Sequence, residues 1–241
     1  MSIRRSIAGA VIGAIVIGGC GQPATDPNLP PTPLPVQGAC AAAAEPGSLC
    51  IIVLGDSIAA GAPLISDDRW WVQLAKLLGP DLVGRHVVVD SWGVPGSHVD
   101  VLESAAHDQP GLATYDLAIV IEGINDVNAG PIAQWRPRYE ASIAAIARQG
   151  LTVIVGTPPP NLENGAFDGR YDALAAALRD IATAGHRPLL DIDASWHDVG
   201  VAMAATYYVD PIHQNAAGQA RMATLAHDLV LDTLARMRPA G

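Results

Sequence analysis

The sequence predicts an α/β fold, a flavodoxin-like three-layer α/β/α sandwich around a five-stranded parallel sheet. Five short runs rich in Val, Ile and Leu lack polar alternation, which is typical of strands covered on both faces of a parallel sheet. Four other segments carry apolar residues at helical spacing. Strands that alternate with helices in this way imply right-handed crossovers and helices on both faces of the sheet.

The five apolar runs give the strands and their order along the chain. They span residues 50–55, 86–92, 115–123, 151–157 and 187–193. The helical segments are marked by Trp70, Leu74, Leu77 and Leu78; by Trp135, Tyr139, Ile143 and Ile146; by Tyr171, Leu174, Leu178 and Ile181; and by Met222, Leu225, Ala226, Leu229 and Val230. We find no internal repeat, so residues 50–241 are expected to form one domain.

Composition narrows the function classes. The chain has 241 residues, half of them hydrophobic, which is enough to bury the core of one domain with extra segments. It carries 14 Lys and Arg against 24 Asp and Glu, and no basic cluster follows the N-terminus. Binding to nucleic acid through its phosphates is therefore not expected.

Residues 1–19 have the pattern of a signal peptide. Arg4 and Arg5 precede an apolar stretch at 7–19, which is shorter than the ~20 residues that span a bilayer. The segment "VIGGC", ending at Cys20, resembles the lipobox of bacterial lipoproteins. This resemblance implies lipidation of Cys20 and a stable anchor on the extracytoplasmic face of the bacterial cell membrane. The alternative is an ordinary cleaved signal, which would give a secreted protein.

Residues 20–49 are expected to tether the domain to that anchor. Six prolines within 21–37 favour a semi-extended segment that packs no core. Cys40 and Cys50 are the only other cysteines, and outside the cytoplasm an even pair predicts a disulfide. Two free buried thiols are the alternative, and metal binding is less favoured because no histidine lies near either cysteine.

The polar segments that follow the predicted strands are where a site is expected. Ligands of open parallel sheets bind beyond the carboxyl ends of the strands. The segments at those positions are 55–57 "GDS", 91–97 "SWGVPGS", 123–126 "GIND" and 157–161 "TPPPN".

Four blocks in order resemble those of the SGNH, or GDSL-type, hydrolase superfamily. The blocks are "GDS", "SWGVPGS", "GIND" and, shortly before the last helix, "DPIH" at 210–213. The resemblance covers residues 50 to about 235 and implies a serine ester hydrolase. It identifies Ser57 as the nucleophile, His213 as its general base and Asp210 as the acid that orients the imidazole.

The same resemblance implies an oxyanion hole. Its donors would be the backbone N–H of Ser57, the backbone N–H of Gly96 and the side-chain amide of Asn125. Gly96 is chosen because the family's second block usually reads Asn-x-Gly-x-x-Gly, with the last glycine as donor. Ser91 stands in place of that asparagine and Pro95 precedes the donor, so Gly93 stays open as the alternative.

Several nearby residues are expected to have structural roles. Asp56 and Asp126 should hydrogen-bond the backbone of their loops, and His197, although adjacent to Asp198, should be a surface residue. Trp92 or Trp196 could either wall the substrate site or belong to the core. Taken alone, Ser57 and Asn125 could also be helix caps or turn formers.

The motifs that are missing from the sequence also narrow the chemistry. It contains no G-x-S-x-G, Walker, H-E-x-x-H or S-x-x-K motif. The other histidines have no acid or cysteine at metal-ligand spacing. We therefore expect neither a metal nor a cofactor.

These observations predict an extracytoplasmic serine esterase that acts through an acyl-serine intermediate. Its substrates would be small-molecule, lipid or glycan esters, with short- or medium-chain acyl groups or the O-acetyl groups of envelope glycans or lipids. The alternatives are an acyltransferase that uses the same site and a non-catalytic envelope-binding protein. We expect a monomer whose contact with the membrane is its N-terminal lipid anchor.

Overall fold

The computed structural model describes residues 40, 47–65, 67–108 and 111–237. The predicted signal peptide, Cys20 and all of the predicted tether except residues 40 and 47–49 lie outside the described residues. Within those residues, no helix combines the length and the apolar character needed to cross a membrane.

A five-stranded parallel sheet forms the centre of the fold and confirms the predicted class. Its strand order is β2-β1-β3-β4-β7, and every neighbouring pair is parallel. A separate antiparallel ribbon pairs β5 with β6. The strands are β1 (Leu49–Gly55), β2 (Val87–Gly93), β3 (Leu117–Ile121), β4 (Thr152–Thr157), β5 (Leu162–Glu163), β6 (Ala166–Phe167) and β7 (Leu189–Asp191).

The burial of the central strands explains their sequence. Every residue of β1 and β3 is buried, because helices cover both faces of the sheet. Alternating polar residues would have to be desolvated on one face, so these strands read as continuous apolar runs. Four of the five predicted strands start one or two residues later in the structure, whereas β1 begins one residue earlier, at Leu49.

The helices form two groups, one with α2 packed on α9 and the other with α5 packed on α3 and α6. The predicted helical stripes face the core, except that Leu77 is 40% exposed because it lies beside the buried line of Trp70, Leu74 and Leu78. The helices are α1 (Ser57–Ala60), α2 (Trp70–Asp81), α3 (Asp100–Asp108), α4 (Ile124–Ala129), α5 (Ile132–Arg148), α6 (Asp172–Ala184), α7 (Ile192–Val199), α8 (Val201–Ala204) and α9 (Ala216–Met237).

A disulfide joins Cys40 to Cys50, as the cysteine count predicts. The two Cα atoms are 5.9 Å apart, within the usual range for a disulfide. Cys50 lies in β1, and the Cys40 N–H donates to Asp90 in β2 at 3.2 Å. Cys40, nine positions before β1 begins, is thus fixed to both β1 and β2.

The strand register brings three carboxyl ends to one level. Gly55, the last residue of β1, lies opposite Gly93 on one side and Ile121 on the other. The segments that follow β1, β2 and β3 therefore begin side by side at one edge of the sheet.

Candidate active site

A sharp turn after β1 places Ser57 at this edge. Gly55 has φ +136°, and a β carbon there would overlap the carbonyl oxygen of Ile121. Only glycine therefore lets β1 run so close to β3 at this point. The next residue, Asp56, donates its N–H to the same Ile121 carbonyl at 3.3 Å, and α1 begins at Ser57.

Asp56 caps α1 and is fully enclosed. Its Oδ1 accepts the N–H of Ile58 at 2.8 Å, so it serves the loop backbone as expected. Burial raises its pKa to about 7, although hydrogen bonds from Ile58 and Ala59 and the nearby His213 act in the opposite direction. Its Oδ2 has no hydrogen-bond partner among the described residues.

The structure brings Ser57, His213 and Asp210 into one hydrogen-bonded row. Ser57 Oγ lies 2.9 Å from His213 Nε2, and His213 Nδ1 lies 2.9 Å from Asp210 Oδ2. The serine and the histidine are 156 positions apart in the chain, and Ser57 is only 8% exposed. This is the geometry in which an imidazole can take a proton from a hydroxyl while a carboxylate holds its other nitrogen.

A tight turn stabilises the ionised form of Asp210. Its Oδ1 accepts the backbone N–H groups of Ile212 and His213 at 2.8 and 2.7 Å. Partial burial raises the pKa of Asp210, but the hydrogen bonds from His213 and Ile212 outweigh burial and leave the pKa below its ordinary value. The acid is thus a carboxylate at neutral pH.

The loop after β2 favours Gly96 over Gly93 as the backbone donor. The N–H of Gly93 already donates to Ser91 Oγ at 3.1 Å, and a β carbon on Gly93 would overlap the backbone of Ala60. Gly96, at φ +80°, is exposed, and its N–H has no acceptor among the described residues. Ser91, the departure from the usual asparagine, also donates to Ala59 O at 3.1 Å and so fixes α1 against β2.

Asn125 and Asp126 lie in the first turn of α4. Asn125 Nδ2 donates one hydrogen to the carbonyl of Ser97 at 2.8 Å, which leaves its second hydrogen for another acceptor. Asp126 accepts the N–H of Val99 at 3.1 Å, which is the loop-fixing role expected for it. Burial raises the pKa of Asp126, with Val99 and His98 acting against that rise.

The family model of the GDSL-like lipases and acylhydrolases matches residues 53–221, more than two thirds of the chain. This chain belongs to the GDSL-like lipase/acylhydrolase family. It is a serine ester hydrolase, and the match spans the segments that hold Ser57, Gly96, Asn125, Asp210 and His213. A search of curated protein sequences gave no significant match.

Solved structures of similar fold include several esterases. An acetyl xylan esterase, AlAXEase, aligns with TM-score 0.64 and 18% identity, covering 75% of this chain and 98% of that one. The lipase/acylhydrolase from Enterococcus faecalis gives 0.62 and 21%, covering 79% and 98%. A catalytic mutant of an acetylxylan esterase from Geobacillus stearothermophilus gives 0.62 and 17%, covering 76% and 95%. At these identities the likeness establishes the fold that this GDSL hydrolase shares with them.

Sequence reasoning missed Glu122, a carboxyl group with no exposed surface at the end of β3. Its Oε1 accepts the N–H of Gly123 at 2.9 Å, and its Oε2 lies 3.1 Å from Ser97 Oγ. Burial raises its pKa well above the ordinary value, and the charges of Asp56 and Asp126 raise it further. The signal was a single acid that ends an apolar strand directly before the "GIND" block.

Two grooves lie beside segments that carry the site of this GDSL hydrolase, and among the described residues neither groove is lined by a triad residue or an assigned oxyanion donor. One, of about 330 Å³, borders α1 and the loop after β2, and its lining includes Ala60, Ala62, Pro63, Trp71 and Pro95. The other, of about 440 Å³, borders α4 and α5, and its lining includes His98, Asp126, Gln134, Trp135 and Arg138. Most side chains that line the first groove are apolar, whereas the second combines His98, Asp126, Gln134 and Arg138 with apolar residues.

The two tryptophans considered as walls belong to the core instead. Trp92 is 3% exposed and packs edge-on against Tyr115, and Trp196 is 0% exposed and packs against Tyr207. Trp92 alternates with Ser91, whose hydroxyl bonds Ala59 in α1, so its ring lies on the opposite face of β2 and packs there against Tyr115. Among the described residues, Trp71 lines the first groove, where its Nε1 donates to Ala60 O at 3.0 Å, and Trp135 lines the second.

His197 does not form a second serine-type pair. Its Nδ1 contacts the carbonyl of Asp193 at 3.0 Å, one helical turn earlier, rather than the adjacent Asp198. Its side chain is partly exposed and stacks on Phe167. Among the residues that the structure describes, no three His, Cys, Asp or Glu side chains group as metal ligands would.

Proposed function

We propose that this GDSL hydrolase is an extracytoplasmic serine esterase that cleaves carboxylic esters through an acyl-enzyme on Ser57. The observation that carries the proposal is the row of two 2.9 Å contacts from Ser57 Oγ through His213 to Asp210. Isolated serines at helix starts are common as caps, but here Asp56 supplies the cap. The hydroxyl of Ser57 is thereby free for His213.

Each step of the reaction has a group in place. Ser57 Oγ attacks the ester carbonyl carbon while His213 Nε2 takes the hydroxyl proton, and Asp210 stabilises the imidazolium that forms. The tetrahedral intermediate collapses, the C–O bond to the alcohol breaks, and His213 returns its proton to the leaving oxygen. Water then repeats the sequence on the acyl-serine, which releases the acid and restores Ser57.

Three donors are assigned to the oxyanion. The Ser57 N–H is the first of α1, so no carbonyl within the helix can accept it. The Gly96 N–H and the second hydrogen of Asn125 Nδ2 complete the set. Removing the Asn125 donor by Asn125→Ala should lower kcat by about 10²- to 10³-fold.

The two grooves suggest where the acyl group and the alcohol portion of an ester substrate bind. The groove beside Ala60 begins one helical turn after Ser57, and most of its lining side chains are apolar although Arg69 and Ser91 also line it, so we assign it to the acyl group. The groove beside Asp126, with His98, Gln134 and Arg138, offers several hydrogen-bonding groups and is assigned to a polar alcohol. This division supports short- or medium-chain acyl groups or O-acetyl groups carried by envelope glycans or lipids, and the acetylxylan esterases of like fold support the glycan alternative.

Location follows from the N-terminal pattern. The lipobox-like "VIGGC" assigns a lipid to Cys20, and the Cys40–Cys50 disulfide fits an oxidising compartment. Expression of the full chain in a bacterium fed an alkyne fatty acid should label the wild type and leave Cys20→Ala unlabelled. Equal labelling of both would refute lipidation at Cys20.

A serine-directed fluorophosphonate tests the catalytic assignment. It should label wild-type protein and fail to label Ser57→Ala, whereas Ser142→Ala, which removes a buried hydroxyl on α5, should be labelled like the wild type. A folded wild type that is neither labelled nor able to hydrolyse any p-nitrophenyl ester would overturn the proposal. Rates on p-nitrophenyl esters of increasing chain length, and on acetylated oligosaccharides, then define the acyl and alcohol preferences.

A further inference from the structure

Ser97 is linked to both remaining donors of the assigned oxyanion hole. It directly follows Gly96, so its position fixes the peptide that precedes it. Its carbonyl accepts Asn125 Nδ2 at 2.8 Å. Its hydroxyl lies 3.1 Å from Glu122 Oε2 and 3.4 Å from the carbonyl oxygen of Gly55, just before the turn to Ser57. One side chain therefore touches the ends of both β1 and β3.

Glu122 anchors this side chain from inside the protein. Its carboxyl group has no exposed surface, and its Oε1 accepts the N–H of Gly123, two residues before Asn125. The carboxyl therefore joins the loop that carries Gly96 to the loop that carries Asn125. Two more hydrogen bonds connect these loops, from Asn125 Nδ2 to the Ser97 carbonyl and from the Val99 N–H to Asp126. The Glu122 carboxyl is the connection that lies fully inside the protein.

We propose that Glu122 and Ser97 form a positioning pair for the oxyanion hole, in which Glu122 holds Ser97, and Ser97 sets the spacing between the donors of Gly96 and Asn125. Glu122 has no exposed surface with which to touch a substrate, and the role assigned to both residues acts through the two donors. The inference rests on the function proposed above, since it assigns the support of the same site.

The number of hydrogens shared by Ser97 and Glu122 indicates which protonation state of Glu122 holds Ser97 in place. The Ser97 hydroxyl has one hydrogen and two oxygen neighbours, Gly55 O and Glu122 Oε2. When Glu122 is neutral, its Oε2–H donates to Ser97 Oγ and Ser97 donates to Gly55 O, so both contacts are hydrogen bonds. When Glu122 is ionised, one of the two contacts becomes a contact between acceptors.

The surroundings of Glu122 also favour the neutral acid. Asp56 faces it from the β1 turn, Asp126 from α4 and the Tyr139 hydroxyl from α5. Burial is the largest cause that raises its pKa, and both aspartates add to it. A neutral Glu122 also puts no negative charge beside an oxyanion that forms nearby.

Three variants separate positioning from other roles. Glu122→Gln keeps the shape, an acceptor for Gly123 and a donor for Ser97, so its kcat should stay within about twofold of the wild type. Glu122→Ala and Ser97→Ala should each lower kcat by about 10- to 100-fold, less than outright loss of a donor, with KM unchanged. The kcat of wild type and Glu122→Gln should follow the same pH profile between pH 6 and 9.

The matched control is Thr157→Ala. Thr157 is a fully buried hydroxyl at the end of β4 that bonds Asp191 and the N–H of Asp193, so its loss should lower the Tm and leave kcat unchanged. A kcat equal to wild type in Glu122→Ala or Ser97→Ala would overturn the positioning role. A Glu122→Gln as impaired as Glu122→Ala would overturn the neutral acid.

The readouts keep this inference separate from the function on which it rests. If wild-type protein hydrolyses no ester, the proposed function fails. If wild type is active and the variants match it, the positioning pair alone fails. Should Glu122→Ala not fold, the comparison of Ser97→Ala with Thr157→Ala decides, because both delete one hydroxyl at the same edge of the sheet.

Discussion

Asp56 should make the stability of this enzyme depend on pH in a way that an asparagine would remove. The carboxyl is buried beside the nucleophile, and its pKa is raised from 3.8 to about 7, chiefly by burial. Asp56→Asn keeps the oxygen that caps the N–H of Ile58 but cannot ionise. The difference in unfolding free energy between the two proteins therefore isolates the titration.

Proton linkage gives the sign and the size of the change in unfolding free energy with pH. The folded pKa lies above the unfolded pKa, so the folded state binds more protons between the two values, and stability falls as the pH rises through about 7. The stabilising contribution is fully present only below the unfolded pKa. At 1.36 kcal/mol per pKa unit, the shift amounts to about 4 kcal/mol in total, of which about 2 to 3 kcal/mol is lost between pH 5 and 8.

Urea unfolding at pH 5, 6, 7 and 8 measures this loss. Relative to Asp56→Asn, the wild type should lose at least about 2 to 3 kcal/mol across that range. The value is a lower bound because the charge of Asp56 also raises the pKa of Glu122, so the wild type loses further stability through Glu122 that Asp56→Asn does not lose. Asp68→Asn, at an exposed position, is the control. Parallel stability profiles for wild type and Asp56→Asn would refute the reasoning.

Further predictions concern the scaffold. Loss of the Cys40–Cys50 disulfide in Cys50→Ala should cost roughly 2 to 3 kcal/mol by the chain-entropy model; an unchanged urea midpoint would contradict it. For His227, partial burial lowers the pKa, but bonds to two carboxylates raise it above its ordinary value. Its stabilisation is therefore present at pH 5.5 and lost as the pH rises through the raised pKa, and His227→Gln should be destabilised at pH 5.5 but not at pH 9. Gly93→Ala, whose β carbon would overlap the Ala60 backbone, should cost about 1 to 3 kcal/mol and reduce kcat; full activity at wild-type Tm would speak against the close approach.

The fold was predictable because the sequence of each central strand is apolar throughout, and such a strand must be buried on both faces. A run such as "IIVL" in β1 has both faces buried, so its pattern already identifies a covered parallel strand. The candidate triad was predictable for a different reason, since four short blocks in order resemble those of the GDSL-type hydrolases, and the resemblance implies the roles of Ser57, Asp210 and His213. The pairing of Cys40 with Cys50 followed from counting alone, because no other partner remained after Cys20 was assigned to the lipid.

The support of the site could not be predicted in the same way. Glu122 and Ser97 are 25 positions apart, and their contact depends on how two loops bend after their strands. The choice between core and groove for Trp92 depends equally on which face of an edge strand a helix covers. Side-chain direction at strand ends is set by loop conformation, which a pattern of residue types does not encode.

Because Ser57 and His213 lie far apart along the chain, the activity of the enzyme depends on the packing of α9 against the rest of the fold. His213 lies just before α9, and α9 is held to the rest of the fold mainly through α2. A fluctuation that releases α9 would withdraw the base and leave the serine in place on an intact sheet. Ester hydrolysis should therefore be lost at a lower urea concentration than the circular-dichroism signal of the sheet. A newly synthesised chain would likewise be inactive until α9 has packed on the domain.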